Sequence, residues 1–327
     1  MKTVFKDRSA SAFLLLWVAL VSSSASVAAS EVEPRAINVV VSIKPLALLI
    51  EPLLADSRLK EPRLTDAPVS PAQVDVLLPT YASPHSYAMK ISDRQKMQGA
   101  DLLVWVGEDL ERFLQKPIAQ MPPSQSLAAS KVPGINWPHP EEDTEGSGED
   151  GHNHEGLHDP HLWLNPQNAI AVISAVAKRL TQIDPPSEEV YRSRAKNLIK
   201  RIKEIDAKIL EKADKFKKIP FVVSHDGFAH FVDRYGLNQI AAIRSTVDSK
   251  PGARHLYQLK KKAESESVAC VFVDAGGSAP WGNRLAEDLT VNSIELDLLA
   301  SDKTIKTYPQ FMQSLMLSLN ECFAERV

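Results

Sequence analysis

Three histidines stand where imidazoles from distant parts of one chain can meet. His85 lies in Ser83-Pro84-His85-Ser86-Tyr87, shortly after the apolar run Val74-Asp75-Val76-Leu77-Leu78. His161 lies in Asp159-Pro160-His161-Leu162-Trp163-Leu164-Asn165-Pro166, and His225 in Ser224-His225-Asp226-Gly227-Phe228, directly after Pro220-Phe221-Val222-Val223. A neutral imidazole offers one lone pair, and three that converge fill most of the shell of a divalent transition metal, zinc above all. Asp297, in Ile294-Glu295-Leu296-Asp297-Leu298, shares their strand-end position, so either it or water would complete a tetrahedron.

Each of these residues also has a plainer reading. His85 could be a surface loop histidine, His225 a helix cap and Asp297 a turn cap. For His85, Pro84 stiffens the approach. For His161, the bracketing prolines hold the ring against an apolar Leu-Trp-Leu wall. His230 is set aside because its five-residue offset from His225 takes it off a shared helix face. His255 is set aside because Lys250, Arg254 and Lys260 around it repel cations.

A second histidine group lies in residues 138–160, where His139, His152, His154 and His158 stand among carboxylates and glycines. No Lys or Arg occurs between Lys131 and Lys178. Such a stretch buries too little apolar surface to fold and reads as a loop. It would hold metal weakly and raise its local concentration, or it is a solvated linker whose affinity is incidental.

The elements that must position the three histidines read as alternating strands and helices. Ile37 to Ile43, Val74 to Leu78 and Leu102 to Val106 are β-rich runs; a helix starts near Pro45, and another, capped by Ser92-Asp93, ends at Gly99. Phe221 to Val223, Val268 to Val273 and Ser293 to Leu296 repeat the pattern, with a helix from Asp226 to Tyr235 stopped by Gly236. Near-continuous apolar strands belong to buried parallel sheets, so two α/β lobes are expected. Between them a helix runs from about Gln167 to Leu180. A longer one follows Ser187, with Tyr191, Ala195, Leu198, Ile202, Ile205, Ile209, Ala213 and Phe216 forming one apolar stripe.

The N-terminus reads as an export signal: Lys2, Lys6 and Arg8 precede the apolar run Phe13 to Val21, and small residues end near Ala28 or Ala29. The run is short for a membrane span, and no cysteine lies there to carry a lipid. Removing residues 1–29 takes three basic residues and one acidic, leaving 35 against 40 and a net charge of −5. That balance excludes a nucleic-acid binder. In an exported protein the two cysteines, Cys270 and Cys322, read as one disulfide, with two buried free thiols the alternative.

Taken in order, these motifs resemble the metal-binding cluster of periplasmic solute-binding proteins of ABC transporters (cluster A-I), specifically the high-affinity zinc-uptake type. The resemblance rests on Ser42-Ile43-Lys44-Pro45-Leu46, Ala82-Ser83-Pro84-His85, the acidic histidine loop, Asp159 to Pro166, His225-Asp226-Gly227-Phe228 and Leu296-Asp297. It implies two lobes joined by a long rigid helix, with metal in the interlobe cleft. The three histidine ligands of that family match His85, His161 and His225; the aspartate ligand of some members matches Asp297, and the cysteine pair resembles a disulfide of zinc-type relatives. The implied organisation is a signal peptide over 1–29, an N-terminal lobe over 30–166, a linker helix region over 167–186 and a C-terminal lobe over 187–327. Some positions depart from the pattern: Asp274-Ala275-Gly276 stands where Glu-Pro-Gln is common, Tyr81 where glycine is frequent, Leu298 where proline is usual, and Pro84 where some members carry a glutamate.

The function implied is capture without catalysis: a periplasmic monomer takes up Zn2+ and passes it to a membrane permease. A third imidazole favours zinc over the harder manganese or iron ions bound by other branches. The rival from another class is an exported zinc hydrolase, with Asp226 or Asp297 as base, but no HExxH motif or paired carboxylates support it.

Overall fold

The computed structural model describes residues 1, 3, 36–54, 71–80, 82–138, 159–244, 248–275 and 280–324. The expected signal segment, but for residues 1 and 3, and the loop histidines His139, His152, His154 and His158 lie outside the described residues.

Strand β1 (Ile37–Val41) leads into helix α1 (Lys44–Leu54), followed by β2 (Ala72–Val76), α2 (Ile91–Gln98), β3 (Leu102–Trp105), a single turn α3 (Gln115–Ile118) and β4 (Ser126–Ala128). Among the described residues these strands form a four-stranded sheet in the order β2-β1-β3-β4, parallel throughout. The helices α4 (Pro166–Ile183) and α5 (Glu188–Ala213) come next. The second half runs β5 (Pro220–His225), α6 (Ala229–Tyr235), β6 (Asn238–Arg244), α7 (Ala253–Ser265), β7 (Cys270–Asp274), α8 (Pro280–Leu289), β8 (Asn292–Leu296) and α9 (Tyr308–Phe323). Its sheet repeats the first, in the order β6-β5-β7-β8 and again parallel. The expected pair of α/β lobes is therefore what the chain forms.

The strand compositions follow their places in the sheets. Central β3 is buried along its whole length and β1 nearly so, because helices cover both faces of a parallel sheet. Edge strand β8 instead alternates over its last residues, burying Ile294 and Leu296 and exposing Ser293 and Glu295.

The helix that reaches both lobes is α5. Its 26 residues span about 39 Å. In its first half Arg194 donates to the Leu53 carbonyl of α1 at 3.1 Å. In its second half Asp206 accepts from Arg234 Nε and from the Tyr235 hydroxyl of α6, each at 3.0 Å. The expected stripe from Tyr191 to Phe216 faces inward, with Ile205 only partly covered. One apolar core runs from Val40 and Leu103 of the first sheet to Phe221 and Phe272 of the second. A separate cluster, including Val222, Val271, Leu259 and Leu285, fills the outer side of the second sheet.

Two expected helix starts differ from the structure. Helix α2 begins at Ile91 and not after Ser92-Asp93; Asp93 sits inside the first turn, where its carboxylate accepts the Lys90 backbone N–H at 2.8 Å and the Tyr87 hydroxyl at 2.9 Å. Helix α6 begins at Ala229 and not at Asp226, because the Asp226 N–H still pairs with the Arg244 carbonyl at 2.9 Å and prolongs the sheet. Gly236 ends α6 with φ 64°, the left-handed stop expected of it. Cys270 of β7 and Cys322 of α9 form a disulfide.

Candidate metal centre

His225 is the last residue of β5, a strand flanked by β6 on one side and β7 on the other. The sheet order reverses there, and the ends of such strands open into a crevice. Strand register decides its neighbours. His225 pairs with Arg244 on β6, and the β5–β7 register of Val222 with Val271 and Val223 with Phe272 carries on to set Asp274 beside it. The Asp274 carboxylate bonds the His225 ring at Nδ1, accepts from the Ser224 hydroxyl at 2.6 Å and pairs with Arg244 at 2.9 Å. Burial alone would raise the Asp274 carboxyl, but these partners reverse that and hold it below the usual carboxylate range.

His161 enters from the turn before α4. Its backbone N–H and its ring Nδ1 both meet one oxygen of Asp159, at 2.9 and 2.6 Å. The other oxygen accepts the Ala229 N–H at 3.1 Å, the first residue of α6 in the opposite lobe. Burial opposes the Asp159 charge, yet the fields of His161 and His230 and these hydrogen bonds outweigh it and bring its pKa to about 2. Behind the ring, Trp163 donates to the Leu298 carbonyl at 2.8 Å and its own carbonyl accepts the Tyr308 hydroxyl at 2.7 Å. The apolar wall expected from Leu-Trp-Leu is fully buried.

His85 arrives on the connection between β2 and α2. Tyr87, two residues on, braces that connection through Asp93 and an edge-on contact with Phe113 at 5.3 Å. Burial, and then the charges of His161 and His225, pull the His85 pKa down to about 3. The ring therefore stays neutral, and able to ligate, across all ordinary pH.

The three rings converge, with centroids 5.4 Å apart for His85–His161 and for His161–His225, and 6.4 Å for His85–His225. One ring nitrogen from each lies within 4.8 Å of the others. Ionised Asp159 and Asp274 can only accept, so Nδ1 of His161 and of His225 carries a proton, and the neutral form of each ring then has its lone pair on Nε2. Nε2 of His85 and of His225 are buried with no hydrogen-bond partner. Orphaned imidazole nitrogens aimed at one point are what a bound cation would satisfy. A tetrahedral zinc with about 2.0 Å bonds would set the nitrogens about 3.3 Å apart, inside the 4.8 Å within which they lie.

Gly227 closes the floor. A Cβ there would lie 2.8 Å from His161 Cε1, 3.0 Å from His161 Nδ1 and against His225 Nε2. Only glycine leaves that space open.

Asp297 is not brought to this group. Its two carboxylate oxygens accept the backbone N–H groups of Leu299 at 3.2 Å and Asp302 at 3.0 Å, so it caps a turn. His230 is buried and bonded to the Asp159 carbonyl at 2.9 Å and to Asn168, a structural role consistent with setting it aside. His255 sits on α7, away from the group. Sequence reasoning assigned no role to Asp159 and Asp274. Asp159 could have been found from Asp-Pro-His, where a carboxylate two residues before an imidazole folds back on it. Asp274 could not, because its partner lies on a different strand.

The comparisons with known proteins agree with this architecture. A family model described as zinc-uptake complex component A, periplasmic, matches residues 39–322. The high-affinity zinc uptake system protein ZnuA of Yersinia pestis is 27% identical over 301 residues, covering 87% of this chain and 90% of that protein. The ZnuA of Haemophilus influenzae is 28% identical over 328 residues, covering 88% and 93%. The periplasmic zinc binding protein TroA of Treponema pallidum shares the fold with a TM-score of 0.71 at 18% identity, over 88% of this chain and 98% of that one. A ZnuA crystal structure gives 0.70 at 21% identity, over 88% and 99%. With the second sheet, all of the first but Ile37 and Asn38, the linking helix and all three histidines inside the matched span, the chain belongs to the family of periplasmic zinc-uptake complex A components.

Proposed function

We propose that this protein captures Zn2+ through His85, His161 and His225 and delivers it to the permease of an ABC transporter, acting as an exported monomer. The observation that carries the reading is the pair of buried, unpartnered Nε2 atoms of His85 and His225 facing His161 in one group. Three imidazoles with two outer carboxylates suit zinc, and the engagement of both Asp297 oxygens elsewhere makes the site poorer in oxygen than a harder ion prefers. The carboxylates nearest the rings are spent on holding them, so the site is built for binding. In this reading residues 1–29 are a cleaved export signal, and His139, His152, His154 and His158 form a secondary, weaker trap.

The test is calorimetric titration of zinc into metal-free mature protein, beside a form lacking residues 139–158 and the variant His225→Ala. One tight site that survives loop removal and is lost in His225→Ala is the expected result. An unchanged affinity in His225→Ala would overturn the three-histidine site.

A further inference from the structure

Three imidazoles leave one position of a tetrahedral shell open, and with Asp297 capping a turn no fourth ligand stands in the group among the described residues. A different carboxylate stands at the mouth. Asp248, in the connection between β6 and α7, accepts a hydrogen bond from the Ser83 hydroxyl at 3.2 Å. That bond crosses from the second lobe to the first, and Ser83 is only two residues from His85. Two residues of chain reach at most about 7 Å. From the other side, Asp248 follows Arg244 by four residues, a tether of at most about 14 Å, and Arg244 pairs with His225 in the sheet. Asp248 is thus leashed near two of the three imidazoles.

Asp159 is committed to the His161 ring, whereas Asp248 is held by a neutral hydroxyl and is exposed. A hydroxyl is a weak competitor for a carboxylate when a divalent cation arrives. In the structure Asp248 stands outside the group of converging ligand atoms, so it must leave Ser83 to join them.

Resting on the three-histidine reading above, we propose that Asp248 is the fourth, exchangeable ligand of the bound cation. Without metal its carboxylate is parked on Ser83 across the cleft mouth; with metal it moves onto the open position. One anionic ligand beside three neutral imidazoles lowers the net charge of the site from +2 to +1. Its position on the exposed rim also makes it the ligand released first when the ion leaves.

The test uses Co2+ as the probe in metal-stripped mature protein, because the visible absorption of tetrahedral cobalt reports its ligand set. Zinc affinity is measured in parallel by competition with a chelator. Asp248→Asn is expected to weaken zinc binding by at least about tenfold, a loss an outer partner could also cause, and to shift the cobalt absorption, which marks a change in the ligand set itself. Asp248→Glu, which keeps a carboxylate on a longer stem, is expected to restore a spectrum close to that of the unmodified protein. An Asp248→Asn protein with unaltered spectrum and affinity would overturn the proposal, as would a spectrum shifted by Asp297→Asn and not by Asp248→Asn. Failure of the underlying reading looks different: the unmodified protein would then take up no cobalt, or His161→Ala and His225→Ala would retain it.

Discussion

The Asp159 carboxylate lies 2.6 Å from Nδ1 of His161, and its second oxygen receives the N-terminal N–H of α6 from the opposite lobe. One side chain therefore sets the tautomer of a candidate ligand and ties together the two halves that must meet around the ion. Asp274 performs the first of these tasks for His225. Replacing either by alanine is expected to weaken zinc binding by about 10–100-fold while leaving a single site per chain. Competition titration against a chelator of known affinity checks this, and an unaltered affinity in both variants would remove the outer carboxylates from the account.

Gly227→Ala is expected to abolish tight zinc binding. The added methyl meets the His161 ring and Nε2 of His225 inside contact distance, so both rings must shift from their converging positions. A circular-dichroism spectrum matching the unmodified protein would separate this from misfolding. Full affinity in that variant would mean that the ion sits elsewhere.

Acid should destabilise the metal-free protein over a defined window. The folded-state pKa of His85 is about 3, against 6.5 for an unperturbed imidazole, so between those values the unfolded chain binds a proton that the folded one refuses. Stability is then full above about 6.5 and declines as pH falls toward 3. Asp159, at about 2 against 3.8, adds in the same direction below pH 4. Calorimetric melting of the metal-free protein at pH 7, 5 and 4 should show a falling midpoint, with a flatter decline in His85→Ala. Equal slopes for the two proteins would contradict the burial of His85.

The disulfide joins β7, which carries Asp274, to the C-terminal helix α9 over a separation of 52 residues. In the chain-entropy model a loop of that length stabilises the fold by about 4 kcal/mol. Reduction, or Cys270→Ala with Cys322→Ala, should lower the denaturant midpoint accordingly. Zinc affinity should change little at temperatures where the protein stays folded.

Asp206 is buried on α5 and accepts from both Arg234 and Tyr235 of α6. Asp206→Ala would strand a partly buried guanidinium and a buried hydroxyl. A loss of about 3 kcal/mol in unfolding free energy is expected, measured by denaturant titration. A change within experimental error would show that water replaces the carboxylate.

Much of this protein was legible in one dimension. Apolar runs such as Val39-Val40-Val41 and Leu102 to Trp105 carry their own signature of a sheet covered on both faces. The stripe on α5 repeats at helical spacing for more than 20 residues, long enough to override local ambiguity. The C-terminal helix α9 also carries a local signature, a capping box of Thr307 and Gln310 at its start. Strand β6 carried little signal: Asn238 to Arg244 contains alanines and polar ends, and pairing with β5 makes it a strand.

The site divides along the same line. By itself the sequence determined which residues have a lone pair to offer: His85, His161 and His225 stand at or just past a strand end or within a proline-bounded turn, and their chemistry is a property of the side chain. Tertiary structure alone decided how those lone pairs are aimed and which carboxylates are free to join them. Register put Asp274 beside His225, and the fold of one lobe against the other put Ala229 on Asp159. The reason is that ligand identity is written residue by residue, whereas a hydrogen bond between strands or lobes depends on distances that no spacing along the chain encodes.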